Sequence, residues 1–348
     1  MKIINRNIGV KFKPYIIAEM SGNHNQSLEL AFKIVEEAKK TGVDAIKLQT
    51  YTADTMTLNI NKGAFFIKDK NNLWRGRNLY KLYNEAHTPW DWHHKIFEYA
   101  KKLGLTCFSS PFDESAVDFL EKLGVPAYKI ASFENIHIPL IQQVAKTKKP
   151  IIISTGMATV SELNEAVSIV KEHNKNNLAL LKCTSNYPAN PKNTNLKTIP
   201  HMKELFNCEI GLSDHTLGIG VSVSSIAFGT TIIEKHFTLD RSMGGVDSKF
   251  SLEPKEMKQL VFEVKQAWQS IGKIYYGPTK DEKNSLIYRR SIYASKNIKK
   301  NQILTKNNIK VIRPGDGLHP RYWKEILGKK ASTNIQEGKP IKFKFIKF

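Results

Sequence analysis

The chain has 348 residues, 41% of them hydrophobic, which suits one large domain, or a large domain with a small one attached. Its 53 Lys+Arg against 32 Asp+Glu give a net charge of +21, which excludes an acidic solubilising tail. Three cysteines (Cys107, Cys183 and Cys208), odd in number and without metal-type spacing, argue against a disulfide scaffold and for a reducing cytoplasm.

The first twenty residues lack an apolar run followed by a small-residue cleavage site, so no secretory signal is expected. No stretch reaches the roughly 18–20 apolar residues of a membrane helix, and no membrane association is expected. Lys2–Lys13 reads as a hairpin. Eight short β-rich runs come next: Tyr15–Glu19, Ala45–Gln49, Leu105–Ser109, Ala127–Ala131, Ile151–Ser154, Leu178–Cys183, Glu209–Ser213 and Thr231–Glu234. Amphipathic stretches separate them, among them Leu28–Lys40, Trp90–Leu103, Thr159–Glu172 and Leu217–Phe228, and Pro254–Ile271 closes the series. Strand alternating with helix implies a parallel sheet, and eight units match a closed (β/α)₈ barrel, its floor capped by the opening hairpin. There is no G-x-G-x-x-G turn and no phosphate-binding G-x-x-x-x-G-K-[ST] loop, so an open nucleotide-binding sheet loses support.

The pattern changes after Ile271. The expected boundaries are a catalytic barrel over 1–271, a polar linker over 272–284 and a small β-rich domain over 285–348. That last segment holds 16 Lys+Arg and 3 Asp+Glu, a net of +13. A basic domain can bind nucleic acid or an acidic glycan. The basic residues are scattered, however, and no recognition motif accompanies them, so no nucleic-acid partner is expected.

In barrel enzymes chemistry gathers where strands end. Here those positions offer Glu19, Lys47 and Gln49, Ser109 and Ser110, Lys129 and Ser132, Ser154, Ser185 and Asn186. Ser213, Asp214, His215, Glu234 and His236 complete the rim, and His24 is a further candidate. Ser and Asn after a strand are ordinary caps and turn formers. Lys47 and Lys129 are different, because they sit inside apolar strands where an unpaired ammonium is expensive. Each must face an anion, from a ligand or from a carboxylate such as Glu19 or Glu134. His215 and His236 suit a borderline divalent metal completed by water or substrate, or equally a general base beside a buried hydrogen-bonded histidine. Lysines with hydroxyls suit a small phosphorylated or carboxylated substrate, and a metal suits polarising a carbonyl.

The same residues carry a resemblance. IIAEMSGNHNQSLELA, AIKLQTYTADTMTL, FSSPFD, YKIASFE, ISTGMAT, LLKCTSNYPA, IGLSDHTLG and EKHFTLDRSMGGVDSKFSLEP resemble the sialic acid synthase family, which condenses phosphoenolpyruvate with an amino-sugar aldehyde. RRSIYASKNIKKNQILTKNNIKVIRPGDGLHP resembles its antifreeze-like (SAF) domain. EMSGNHNQSLE, KLQTYTADTMTL, LWRGRNLYKLYNEAHTPWDWH and PGDGLHP look most like the pseudaminate branch, and less like the neuraminate and legionaminate branches.

The resemblance implies a (β/α)₈ TIM barrel with the small domain attached, in a domain-swapped homodimer. It implies a divalent metal on His215 and His236, Mn²⁺ first, with Mg²⁺ or Co²⁺ as alternatives. Phosphoenolpyruvate would be gripped by Lys47, Ser110, Lys129, Ser132, Ser154, Asn186 and Ser213; some relatives carry Thr in place of Ser110. An acetamido sugar would meet Gln49, Glu134, Tyr187 and Asp247, and Arg313 of the partner subunit would reach over the rim. Glu19 would handle a proton or orient water. The product would be a nine-carbon acid, made for flagellin glycosylation. Specificity is expected from the loop Leu58–Thr88. A phosphosugar acceptor would need a second basic cluster on the rim, which the sequence lacks.

Overall fold

The computed structural model of the chain describes residues 1–69, 73–174 and 177–348. They form two compact units, Met1–Gly272 and Lys273–Phe348.

The first unit is a closed barrel of eight parallel strands in sequence order. These are β1 (Tyr15–Glu19), β2 (Ala45–Thr50), β3 (Thr106–Pro111), β4 (Tyr128–Ile130), β5 (Ile151–Ser154), β6 (Leu178–Cys183), β7 (Glu209–Asp214) and β8 (Ile232–His236). Closure is made by β8 against β1, with Ile232 facing Tyr15 and His236 facing Glu19. Covered on both sides, such strands read as near-continuous apolar runs.

Side chains alternate along each strand, and the alternation sorts this sequence cleanly. Tyr15, Ile17, Ala45, Phe108, Ala127, Ile152, Ala179, Leu181 and Ile232 pack inside the barrel. Ile3 and Ile8 join that cluster from the opening segment, where Lys2–Ile3 and Arg6–Asn7 pair as a hairpin. The intervening strand positions face the helices, as Ile130, Ile153, Leu180 and Ile210 do. β7 passes close to β8 at Gly211, where a Cβ would collide with the Ile232 carbonyl oxygen.

The helices follow the expected stretches. Helix α1 (Leu28–Thr41) starts at Ser27, whose side chain accepts from the Leu30 amide, and ends at Gly42, whose φ of 87° stops the helix. Thr159 and Glu162 form a reciprocal capping box at the start of the helix Val160–His173. One stretch is shorter than expected. Leu217–Phe228 forms only α-helix Gly220–Ser225 and a 3₁₀ turn Ile226–Phe228. Gly218 at φ 69° and Gly229 at φ 88° bound it, and neither backbone conformation continues a helix.

The second unit has its own core of Ile292, Ala294, Ile298, Leu304, Ile309, Ile326, Ala331, Ile335, Ile341 and Ile346. Ser291–Ala294 pairs antiparallel with Ile309–Ile312, Lys330–Ala331 pairs with Ile346–Lys347, and the short helix Trp323–Ile326 packs against them.

Candidate active site

The positions that continue the inward-facing rows toward the C-terminal strand ends are polar. After Ile17 comes Glu19, after Ala45 come Lys47 and Gln49, and after Phe108 comes Ser110. Lys129, Ser154, Cys183, Ser213, Glu234 and His236 complete the ring in the same way. The apolar floor and the polar mouth of the barrel are therefore one alternation pattern whose composition switches halfway up.

The two lysines converge there. Lys47 is 3% exposed and Lys129 2%. Lys47 Nζ forms an ion pair with Glu19 Oε2 and donates to Ser110 Oγ at 3.1 Å. Lys129 Nζ donates to Ser154 Oγ at 2.7 Å. Glu234 lies between them, 3.8 Å from Lys47 and 3.5 Å from Lys129, and accepts from Ser213 Oγ at 3.2 Å. Gln49 Nε2 donates to Glu19 Oε1 at 3.0 Å. Burial pushes the Glu19 carboxyl up to about 7, against the pull of Lys47. Burial also raises Glu134, in the turn after β4, to about 7 against Lys129. Near neutral pH these two carboxyls titrate, so they offset the lysine charge only in part, while, against the effect of burial, Lys129 and Lys47 hold the Glu234 carboxyl below its usual range.

The histidines form the opposite wall. The rings of His215 and His236 are 5.4 Å apart, and Tyr187 lies 4.4 Å from His215. Phe250 packs 4.8 Å from His236, and Trp74 lies 5.8 Å from Tyr187. His215 Nδ1 is 3.0 Å from the Thr184 carbonyl oxygen. His236 Nδ1 is buried without a hydrogen-bond partner, 3.8 Å from Asp247 Oδ2, and the Asp247 carboxylate accepts from Ser21. Burial, reinforced by the His215 charge, holds His236 well below the usual imidazole range. It is thus neutral, the form that ligates a metal. Among the described residues, no group of three or more His, Cys, Asp or Glu is placed to hold a metal ion. The pair supplies two nitrogens, so water or substrate must fill the other positions. That donor set, with an unpartnered ring nitrogen, fits a borderline divalent ion.

Other expected residues fall in varied places. Ser132 accepts from the Gly156 amide at 3.1 Å, and a Cβ at Gly156 would meet its Oγ at 2.7 Å. Asn186 is exposed on the loop after β6. Arg313 is exposed in the second unit, just after the strand Ile309–Ile312. The loop Leu58–Thr88 carries the helix Leu79–Ala86, and its residues 70–72 lie outside the described residues. His24 does not line the mouth. It is fully buried, its Nε2 3.1 Å from Thr88 Oγ1 and its Nδ1 accepting from the Gln26 amide. Ser109 and Asp214 also turn outward, Ser109 to Thr50 at 2.6 Å and Asp214 to Lys235 at 2.9 Å. Glu234 is the central residue that sequence reasoning left without a role; the i, i+2 spacing to His236 in EKH was the available signal.

The architecture is that of a parallel-barrel enzyme in which two buried lysines and an imidazole pair share one mouth. Residues 34–276 match the NeuB family, and 289–347 match the SAF domain. The chain belongs to the NeuB family. It is 47% identical to the pseudaminic acid synthase of Campylobacter jejuni subsp. jejuni serotype O:23/36 (strain 81-176) over 97% of each chain. It is 43% identical to the pseudaminic acid synthase of Helicobacter pylori (strain ATCC 700392 / 26695), covering 94% of this chain and 96% of that one. Among solved structures, the N-acetylneuraminic acid synthetase from Leptospira borgpetersenii serovar Hardjo-bovis, in complex with citrate, aligns with a TM-score of 0.73 at 32% identity. That alignment covers 83% of this chain and 95% of the other.

Proposed function

We propose that this chain condenses phosphoenolpyruvate with the open-chain aldehyde of 2,4-diacetamido-2,4,6-trideoxy-L-altrose, the pseudaminic acid synthase reaction. Its relatives support the reading, and one observation carries it. Two buried ammonium groups, Lys47 and Lys129, share one mouth with a carboxylate near neutrality and a histidine pair.

The phosphate and carboxylate of phosphoenolpyruvate take the charge of Lys47 and Lys129, with Ser110, Ser132, Ser154, Asn186 and Ser213 as further donors. Gln49, Glu134, Tyr187 and Asp247 orient the sugar, and Arg313 of the partner subunit reaches over the rim in a domain-swapped homodimer. His215 and His236 would hold a divalent metal, Mn²⁺ in our reading, which supplies Lewis-acid polarisation of the aldehyde oxygen. The enol C3 attacks the aldehyde carbon, and positive charge develops at C2. Water adds at C2 as Glu19 takes its proton. The tetrahedral intermediate breaks its bond from C2 to the phosphate oxygen, its hydroxyl proton leaves with the phosphate, and the proton held by Glu19 passes to the alkoxide formed from the aldehyde, leaving the nine-carbon 2-keto acid.

Three free, buried cysteines support a reducing compartment, and we place the reaction in the cytoplasm. We assign the barrel to 1–271, the linker to 272–284 and the small domain to 285–348. By resemblance, the product serves flagellin glycosylation. The test supplies phosphoenolpyruvate with each candidate acetamido sugar and follows phosphate release. Turnover is expected with the altrose derivative. Preference for N-acetylmannosamine or the legionaminate precursor would reassign the product.

A further inference from the structure

Asp214 and Lys235 form an ion pair in which both side chains are 0% exposed. They are cross-strand neighbours on β7 and β8. Each immediately precedes a histidine of the mouth, Asp214 before His215 and Lys235 before His236. Lys235 Nζ donates to Asp214 Oδ2 at 2.9 Å and to the Thr216 carbonyl at 2.5 Å. Asp214 also accepts from the Thr216 amide at 2.9 Å, Thr216 Oγ1 at 2.7 Å and Ser222 Oγ at 2.6 Å. His215 is thus bracketed by two residues, Asp214 and Thr216, that are both tied to the ammonium one position from His236.

Nothing in the proposed chemistry uses this pair. Its desolvation offsets much of its attraction, so apolar side chains of similar volume would hold the two strands together at least as well. What apolar packing lacks is direction. Five hydrogen bonds in fixed geometry set the separation of two strand ends, and with it the aim of the imidazoles that come after them. We infer that Asp214 and Lys235 are positioning residues for the metal site, holding His215 and His236 at the spacing that one divalent ion requires. The inference rests on the reading of those histidines as metal ligands.

The test titrates Mn²⁺ alone into the full-length wild type and into the variants His215→Ala, Asp214→Asn/Lys235→Met and Ser222→Ala. Binding is read by calorimetry and by loss of the free-ion electron paramagnetic resonance signal. The double variant removes both charges with little change of shape. Its Mn²⁺ Kd is expected to rise about 10- to 100-fold, the range for groups that orient metal ligands. Its KM for phosphoenolpyruvate should stay within about twofold, because Lys47 and Lys129 are untouched; a general loosening of the barrel would raise both. Ser222→Ala removes one hydroxyl donor and should raise the Kd about two- to tenfold, as loss of one hydrogen bond does. It decides the matter should the double variant not fold. Wild-type affinity in Ser222→Ala, or in a folded double variant, overturns this inference alone. No saturable binding by wild type, or undiminished binding in His215→Ala, overturns the metal reading and this inference with it.

Discussion

Glu19 and Lys47 are cross-strand neighbours on β1 and β2 and form an ion pair with almost no solvent contact. The carboxyl is nevertheless pushed up to about 7, because burial outweighs the neighbouring ammonium. A carboxyl with that affinity for a proton is matched to accepting one from water near neutral pH.

A general base works ionised, so kcat should fall as pH drops through about 7. Glu19→Gln should lower kcat by about 10²- to 10⁴-fold and abolish that acid limb. Glu134 titrates in the same range but is assigned to binding, so Glu134→Gln should keep the limb and raise the sugar KM. A limb that survives Glu19→Gln and disappears in Glu134→Gln would reverse the two assignments.

Metal removal provides a second check. Prolonged chelation followed by dialysis should abolish turnover, and Mn²⁺ should restore it. His236→Ala should remain inactive at any added metal concentration. Full activity after chelation would leave the histidine pair without a metal role.

Arg313 tests the proposed domain-swapped dimer. Arg313→Ala should raise the sugar KM at least tenfold, the loss of one charge-assisted hydrogen bond being worth roughly 1.5–3 kcal/mol. The KM for phosphoenolpyruvate should change far less. Equal effects on the two would remove Arg313 from the sugar end.

Gly211 tests the barrel itself. An alanine methyl would collide with the Ile232 carbonyl oxygen and lie 2.5 Å from Leu181 Cδ2. Both neighbours belong to barrel strands, so relief requires them to move. Gly211→Ala should destabilise the fold by about 1–3 kcal/mol, visible as a lower melting temperature. An unchanged melting temperature would mean that β6, β7 and β8 are less tightly apposed than described.

The barrel was legible because its strands are short apolar runs separated by capped helices, as Ser27 and Gly42 mark around α1. Lys47 and Lys129 stood out because an ammonium inside an apolar strand demands a partner. The partner itself was harder to read. Ending the last strand at Glu234 hid the fact that β8 runs to His236, so Glu234 passed as a strand end. Alternation would also have turned Asp214 away from Ser213, toward Lys235. Which carboxylate approaches which lysine depends on parallel register between strands that are far apart in sequence, and one sequence contains no such distance. His24 was misplaced for a related reason. The backbone of the GNHN loop takes positive φ at Ser21, Asn25 and Gln26, and the ring ends up under Trp92 rather than at the mouth.

The proposed seating of phosphoenolpyruvate on two buried lysines underlies the whole reaction, and direct titration of that ligand into the wild type, Lys47→Met and Lys129→Met examines it without turnover. If both ammonium groups hold one anionic ligand, each substitution should weaken the measured Kd at least tenfold while the wild type saturates at one ligand per chain. Unchanged affinity in either folded variant would show that the two lysines do not share a ligand, and the proposed chemistry would fail with them.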